Sequence, residues 1–224
     1  MPQASRNTIA SLLAFTFVTG MIDAASLLGA GRVFVANMTG NIVFIGFSLV
    51  GQGYSSLQTS ALALLGFLGG ALFGGRAMRG RPERGLRGGL AFDVVLLLCA
   101  GCLASFWPGF EVNVLVVLLA LGMGARTAVV RSLAIPDLTT TVLTLTLAAL
   151  AADSAAAGGD SLRFGRRLAS VLLLLAGACV GALLFSVAPH QMILAAALLE
   201  GAAALALALS LPRLTKDKET SLRA

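Results

Sequence analysis

Three charged residues lie inside long apolar segments of this chain, where ionisable side chains are rare. Asp23 stands in the first segment, Arg126 in the fourth and Glu200 in the middle of the last. If these segments span a membrane, each charge is costly and indicates a solute pathway, a proton relay or a structural pair. We predict coupling or gating roles for all three. The alternatives are an ion pair between Asp23 and Arg126, no direct contact between them, and a hydrogen bond from Glu200 across a helix interface.

Polar residues interrupt the chain after the first and after the fourth long apolar segment, and a short apolar stretch follows each interruption. The first interruption covers residues 31–41 and the second covers residues 131–141. A polar backbone broken by Gly or Pro is tolerated within a bilayer where it lines a cavity or is buried in protein. Two such breaks in matching halves are typical of a solute site near the midplane.

The side chains of the two interruptions form the predicted solute site. We expect Thr39 and Asp137 to be the N-caps of two short helices, whose exposed N–H groups would attract anions or polar neutral solutes. The alternative is that these polar groups only satisfy the broken backbone. The predicted solute-binding residues are Asn37, Thr39, Gly40, Asn41, Asp137, Thr139, Thr140 and Thr141.

The overall composition predicts an integral membrane protein. The chain of 224 residues is 58% hydrophobic and 12% charged, and its mean hydropathy is +0.93. Soluble domains are about half apolar and about one quarter charged. The net charge of +6 does not require nucleic acid as a partner, because the Arg residues stand in short connections, as in cytoplasmic loops. We expect the lipid bilayer as the partner and no nucleic acid.

Apolar runs of about 20 residues are typical of spanning helices. A helix of ten residues rises only about 15 Å, half of a hydrocarbon core of about 30 Å. We therefore predict an all-α polytopic membrane protein with six spanning helices and two short re-entrant or broken half-helices. The spanning helices are predicted at 7–29, 56–79, 88–107, 111–130, 165–187 and 191–211, and the short ones at 40–51 and 138–152.

The distribution of Lys and Arg distinguishes six crossings from eight. The connections at 51–55, 108–111 and 188–190 contain neither residue type, whereas the other connections and the C-terminal tail are basic. With six crossings and both termini cytoplasmic, every basic loop lies inside. With eight crossings, at least one basic segment would lie outside. We predict six crossings plus two re-entrant elements, with both termini cytoplasmic.

The two halves of the sequence present similar motifs in the same order. Gly20-Met21 in the first helix matches Gly122-Met123 in the fourth, and each is followed by an Arg, a polar interruption and a short helix. Because each half has three crossings, the second half would be inverted relative to the first. We predict an inverted repeat of residues 1–107 and 108–211 within one transmembrane domain of residues 1–224, with a cytoplasmic tail at 212–224.

Glycines recur at four-residue spacing in the second and the fifth spanning helix. Such spacing allows close helix approach, so we expect packing faces within the bundle or between the protomers of a homo-oligomer. These residues are Gly66, Gly70, Gly74, Gly177 and Gly181.

The remaining polar residues indicate no catalytic site. Asp93 is expected to be interfacial, near the cytoplasmic start of the third long helix. Cys99, Cys102 and Cys179 lie in apolar runs, so we expect apolar packing rather than metal or redox chemistry. The sequence contains no recognisable catalytic triad, metal-ligand cluster or phosphate loop. We expect no enzymatic activity, metal or cofactor.

The first interruption also carries a family pattern. The pattern Gly20-x-x-Asp23-Ala24 followed by Phe34-x-x-x-Met38-Thr39-Gly40-Asn41 resembles the YoaK family of bacterial membrane proteins, a family of unknown function. The second interruption, from Ile135 to Thr141, is similar to its counterpart in the second half of that family. The resemblance covers nearly the whole chain. It implies a polytopic bacterial inner-membrane protein and does not imply a substrate.

The paired interruptions favour a small-solute permease or channel with a midplane site between two broken helices. Its ligand would be a small polar or anionic solute. The alternative is a non-transporting membrane scaffold or sensor in which the interruptions are packing devices. The two hypotheses differ in whether a water-accessible cavity lies between residues 37–41 and 137–141.

Overall fold

A computed structural model of the protein describes residues 6–80, 82–107, 109–135, 143–160 and 164–223. These residues form α-helices and one short 3₁₀ helix, Ala155–Ala157, and contain no strand. The α-helices are α1 Arg6–Gly29, α2 Met38–Leu49, α3 Leu57–Gly80, α4 Pro82–Phe106, α5 Val112–Ser132, α6 Leu143–Ala152, α7 Phe164–Val187 and α8 Met192–Arg223.

Six of the described helices are long and apolar enough to cross a membrane, namely α1, α3, α4, α5, α7 and α8. This confirms the predicted all-α architecture with six candidate spans. The two remaining helices, α2 and α6, have 12 and 10 residues. Each rises about 15–18 Å and is too short to cross a hydrocarbon core of about 30 Å.

Hydrogen bonds show which helix ends lie together. Thr59 at the start of α3 donates to Asn113 Oδ1 at the start of α5 over 2.9 Å. Ser105 at the end of α4 donates to the carbonyl of His190, just before α8, over 2.8 Å. Gly31, just after α1, lies next to Thr59. These helix ends therefore share one end of the bundle, which we call the break end. The opposite end, where α3 joins α4 through an Arg-rich connection, is called the basic end.

The two short helices are attached to opposite ends of the bundle. The chain leaves α1 at the break end, forms α2 and returns to the same end, where the Arg32 guanidinium lies 5.6 Å from the centroid of the Tyr54 ring. The other short helix, α6, is tied to the start of α7 at the basic end. There Arg167 donates to the Ala149 carbonyl over 2.9 Å and pairs with Asp153 Oδ2 at 2.7 Å.

Glycine allows two pairs of long helices to pack closely. The main helix pairs are α1 with α7, α3 with α5, and α4 with α8, while α4 also contacts α5 and α1 also contacts α8. The predicted glycine faces of α3 and α7 lie against α5 and α1, so they pack within this chain, and a homo-oligomer contact would need another surface. These residues are Gly66, Gly70, Gly74, Gly177 and Gly181.

The start of α2 differs from the prediction. The helix begins at Met38, with Asn37 as the N-cap residue and no side-chain cap hydrogen bond. The prediction that Thr39 is the N-cap is therefore wrong. The physical reason is that the turn before α2 is closed by Asn41, whose side chain bonds to the backbone of Phe34.

Helices α4 and α8 are longer than predicted. The first begins at Pro82 instead of residue 88, consistent with the preference of Pro for the first helical position, where no N–H partner is needed. The last continues from Met192 to Arg223, so the backbone of the predicted tail is helical up to that residue.

Candidate functional site

Three charged side chains meet in the interior of the bundle. We call Asp93 of α4, Arg126 of α5 and Glu200 of α8 the charge centre, and each of them is 0% exposed. Arg126 Nη1 donates to Glu200 Oε2 over 2.6 Å, and Arg126 Nε lies 3.9 Å from Asp93 Oδ2. The charge centre thus contains two carboxyl groups and one guanidinium.

Arg126 is held on its other sides by α1 and by its own helix. Its Nη2 donates to Thr19 Oγ1 over 2.7 Å and lies 2.9 Å from Met123 Sδ. The guanidinium carbon stands 5.5 Å from the centroid of the Phe15 ring. Because the donors of a guanidinium project in fixed directions, these contacts orient the group.

The charge centre has hydrogen-bonding capacity that the described residues do not use. Both carboxyl oxygens of Asp93, Oε1 of Glu200 and Nε of Arg126 are buried, and none has a hydrogen-bond partner in the part of the chain that the structure describes. Buried polar groups are nearly always paired in folded proteins, so exceptions call for an explanation. Ionisable groups within membrane spans are by default candidates for a functional site.

The charge centre lies deep within the spans. Glu200 comes eight residues after the first residue of α8, and Asp93 comes eleven residues after the first residue of α4. These separations correspond to about 12 and about 16 Å along the helix axes. Gly122 of α5 leaves room for the carboxyl of Asp93, because a Cβ at Gly122 would lie 2.6 Å from Asp93 Oδ1.

Asp23 supports the first break, which we define as residues 30–37, and takes no part in the charge centre. Its Oδ1 accepts hydrogen bonds from the backbone N–H groups of Val35 and Ala36, over 3.2 and 3.1 Å. The ion pair considered between Asp23 and Arg126 does not form, because Arg126 pairs with the two carboxyls of the charge centre. The Asp23 carboxyl therefore supplies an acceptor for backbone N–H groups that would otherwise lack one in this extended segment.

Asn41 and Gly40 also serve the first break. Asn41 is fully buried; its Oδ1 accepts from the Phe34 N–H over 2.9 Å, and its Nδ2 donates to the Phe34 carbonyl over 2.6 Å. Gly40 lies against the Phe34 ring, where a Cβ would come within 2.7 Å of a ring carbon. Asn37 and Thr39 are exposed, so neither side chain is buried against the first break.

The second predicted half of the solute site is not part of the described structure. Asp137, Thr139, Thr140 and Thr141 lie outside the described residues, which end at 135 and resume at 143. Their role in solute binding stays a prediction. Within the described ranges, no group of three or more His, Cys, Asp or Glu side chains could hold a metal ion.

A polar groove opens at the break end of the bundle. It is shallow and open, with a volume of about 640 Å³ between the end of α1 and the start of α3, and its lining includes Arg32, Tyr54 and Ser56. Arg32 has a φ of 58°, in the left-handed region that non-glycine residues rarely adopt. The groove would allow polar solutes to approach the bundle from the break end.

Asp93 is the member of the charge centre that sequence reasoning missed. The prediction that it is interfacial is wrong, because α4 begins at Pro82 and Asp93 is fully buried. The signal was present in the flanking residues, since Asp93 follows Leu90-Ala-Phe and precedes Val94-Val-Leu. A carboxylate inside such an apolar run resembles Asp23 and Glu200 more than a solvated residue. Thr19 carried no comparable signal, because a hydroxyl is common in apolar helices.

Comparisons with known proteins identify a family. A family model described as "Protein of unknown function (DUF1275)" matches residues 11–206. The chain is 36% identical over 155 residues to the UPF0700 transmembrane protein YoaK of Bacillus subtilis (strain 168), and the match covers 67% of this chain and 68% of that protein. No solved structure matches the chain. The predicted resemblance is confirmed, and the chain, a multi-pass integral membrane protein, belongs to the DUF1275 family that includes the YoaK proteins.

Proposed function

We propose that the protein is a small-solute permease of the bacterial inner membrane and that the charge centre controls its transport step. The observation that carries the proposal is the buried set of Asp93, Arg126 and Glu200 with unpaired polar atoms. Burying an ion costs roughly several kcal/mol, and apolar residues of similar volume often stabilise a fold at least as well. A function that needs the charges explains why they are present.

The pairing of the helices supports an inverted repeat. In such a repeat, α1, α2, α3 and α4 correspond to α5, α6, α7 and α8. The α1–α7 contact then corresponds to the α5–α3 contact, and the α4–α5 contact corresponds to the α8–α1 contact. The α4–α8 contact corresponds to itself. Transporters built from inverted repeats bind solute and coupling ion near the midplane, between the repeats. The charge centre draws Asp93 from one half and Arg126 and Glu200 from the other.

We place the solute path between the two interruptions. A small polar or anionic solute would first meet the groove at the break end, which Arg32 and Tyr54 line. It would then bind at the exposed side chains of Asn37 and Thr39. The second interruption would complete the site with Asp137, Thr139, Thr140 and Thr141. Because the basic end carries the Arg-rich connection, the positive-inside rule makes that end cytoplasmic, together with both termini.

Flux measurements in proteoliposomes test this function. Purified protein is expected to transport at least one member of a panel of anions, amino acids and neutral polar solutes. Glu200→Gln is expected to abolish that flux, whereas the matched control Glu83→Gln, at an exposed position in the first turn of α4, should retain it. Absence of flux for the whole panel would contradict the permease. Normal flux in Glu200→Gln would remove the charge centre from the transport step.

A non-transporting scaffold or sensor is the second candidate, and one observation favours it. Asp23 and Asn41 are committed to the backbone of the first break, as expected of a packing device. This candidate predicts a dry interior beside the interruptions. In a Cys-free variant, a membrane-impermeant thiol reagent should then modify Cys at exposed Gln52 but not at position 39 or 140. Modification at position 39 or 140 favours the permease.

A further inference from the structure

We propose that the coupling ion is the proton and that Asp93 binds it as a carboxylic acid whose O–H donates to Glu200 Oε1. This inference rests on the proposed permease function. It adds the identity of the ion and the residue that binds it. The evidence consists of the charge count of the centre, the unequal contacts of its two carboxyls and the surroundings of Asp93.

The charge count of the centre favours one bound proton. One guanidinium faces two carboxyl groups, so full ionisation leaves one net negative charge buried among apolar helices. Uncompensated charge is costly in such surroundings. Binding one proton makes the centre neutral, and releasing it makes the centre negative. The centre can therefore exist in two states that differ by one charge, which is what coupling to an ion requires.

The contacts of the two carboxyls differ, and the difference selects Asp93. Glu200 Oε2 accepts from Arg126 Nη1 at 2.6 Å, a short charge-assisted bond that favours the carboxylate form of Glu200. Asp93 accepts no hydrogen bond from the described residues, and Arg126 Nε is 3.9 Å from its Oδ2. These contacts therefore stabilise the anionic form of Asp93 less than the anionic form of Glu200.

A proton on Asp93 would pair two atoms that are otherwise unpaired. Asp93 and Glu200 face the same guanidinium, with Asp93 Oδ2 at 3.9 Å from Arg126 Nε and Glu200 Oε2 at 2.6 Å from Nη1, and Glu200 Oε1 has no partner in the described part of the chain. Proton binding forms one O–H bond on Asp93 and one hydrogen bond to Glu200. Release breaks both, returns the proton to water on one side of the membrane and leaves both groups as carboxylates.

The helices around Asp93 offer no competing site. From α1, Thr19 and Phe15 contact Arg126, while Asp23 is bonded to two amides of the first break. From α5, Gly122 lies beside the Asp93 carboxyl. Among the described residues of α3 and α7, no ionisable side chain forms an ion pair with the centre. A metal cation fits poorly, since it needs about six oxygen ligands and would meet the guanidinium.

Infrared spectroscopy of the purified protein in lipid tests the inference without a transported solute. The wild type is expected to show the C=O stretch of a protonated carboxylic acid at neutral pH, with a shift in heavy water and a loss at alkaline pH. Asp93→Asn should lose this band, and the matched control Asp23→Asn should retain it. A wild type without the band, or a band that persists in Asp93→Asn, would overturn the proposal.

Two further measurements keep the test decisive. If Asp93→Asn does not fold, the wild-type titration decides, because a band that never responds to pH before unfolding contradicts proton binding in the centre. Excess sodium at constant pH should leave the band unchanged, and its loss would identify sodium as the ion instead. Failure of the permease would appear as an intact band without flux, whereas failure of this inference would appear as flux without the band.

Discussion

The first break and the charge centre are both polar regions inside an apolar helix bundle, but they use their polar groups differently. In the first break, Asp23 and Asn41 bond to backbone N–H and C=O groups of residues 34–36. In the charge centre, Asp93 has two buried oxygens without a hydrogen-bond partner among the described residues. Asp23 and Asn41 thus have hydrogen-bond partners in the break, and the Asp93 carboxyl has none among the described residues.

This difference separates side chains that stabilise the fold from side chains that do not. A side chain that pairs otherwise lost backbone groups stabilises the fold, because each unpaired buried group costs about 1–3 kcal/mol. Buried charged side chains with unpaired polar atoms do not stabilise a fold in this way. Two of the three residues predicted to couple or gate transport, Arg126 and Glu200, belong to the second kind. Asp23 belongs to the first.

Removing the cation alone should have the largest effect on stability. Arg126→Ala leaves two buried carboxyls without a cation, so we expect the free energy of unfolding in detergent micelles to fall by about 3–5 kcal/mol. The loss should be larger at alkaline than at acidic pH, because protonated carboxyls need no cation. The control Arg84→Ala changes an exposed residue and should stay within about 0.5 kcal/mol of wild type. Equal stability of the two variants would contradict a charged centre.

The next largest effect is expected in the first break. Asn41→Ala removes both partners of the Phe34 backbone, so we expect the free energy of unfolding to fall by about 1–3 kcal/mol. Thr39→Ala, two residues earlier at an exposed position, is the matched control and should be near neutral. Thermal unfolding followed by the fluorescence of Trp107 measures both variants. If Asn41→Ala were as stable as Thr39→Ala, the break would not depend on this amide.

A comparison of two variants at Asp23 separates its charge from its acceptor atom. Asn retains an oxygen that can accept from Val35 and Ala36, whereas Ala does not. We expect Asp23→Ala to be less stable than Asp23→Asn by about 1–3 kcal/mol in the same unfolding assay. Equal losses in both variants would mean that the charge of Asp23 matters, which would make the first break and the charge centre more alike than proposed.

The smallest effect is expected at the edge of the charge centre. Thr19→Val removes the acceptor of Arg126 Nη2 and should cost about 1.5 kcal/mol, typical of a hydrogen bond to a charged group. Thr19→Ser keeps the hydroxyl and should retain most of that stability. A Ser variant as unstable as the Val variant would show that packing of the methyl group, not the hydrogen bond, is what Thr19 supplies.

Hydropathy and charge predicted much of the architecture. The six spans and the two short helices follow from the lengths of the apolar runs, because a bilayer requires a minimum helix length. Arg126 and Glu200 were recognisable as special because a charge in such a run is rare. These inferences depend on each segment alone, which is why a single sequence is sufficient for them.

The pairing of the charges could not be predicted, because the sequence of one helix does not show which helix it contacts. The contacts of α4 with α5 and with α8 bring Asp93, Arg126 and Glu200 together, and sequence spacing does not specify which helices pack. The N-cap of α2 was misplaced for a similar reason, since the Asn41 amide closes the turn through a contact that a local capping rule does not include. Tertiary packing decided both outcomes.

The most direct test of this contrast measures the stability of a bundle without its charge centre. In the combined variant Asp93→Val, Arg126→Met and Glu200→Met, apolar residues replace all three charges. We expect its free energy of unfolding to equal that of the wild type or to exceed it by about 1–4 kcal/mol, whereas Asn41→Ala lies below the wild type. A combined variant less stable than Asn41→Ala would contradict the contrast, because the buried charges would then be needed to hold the fold together.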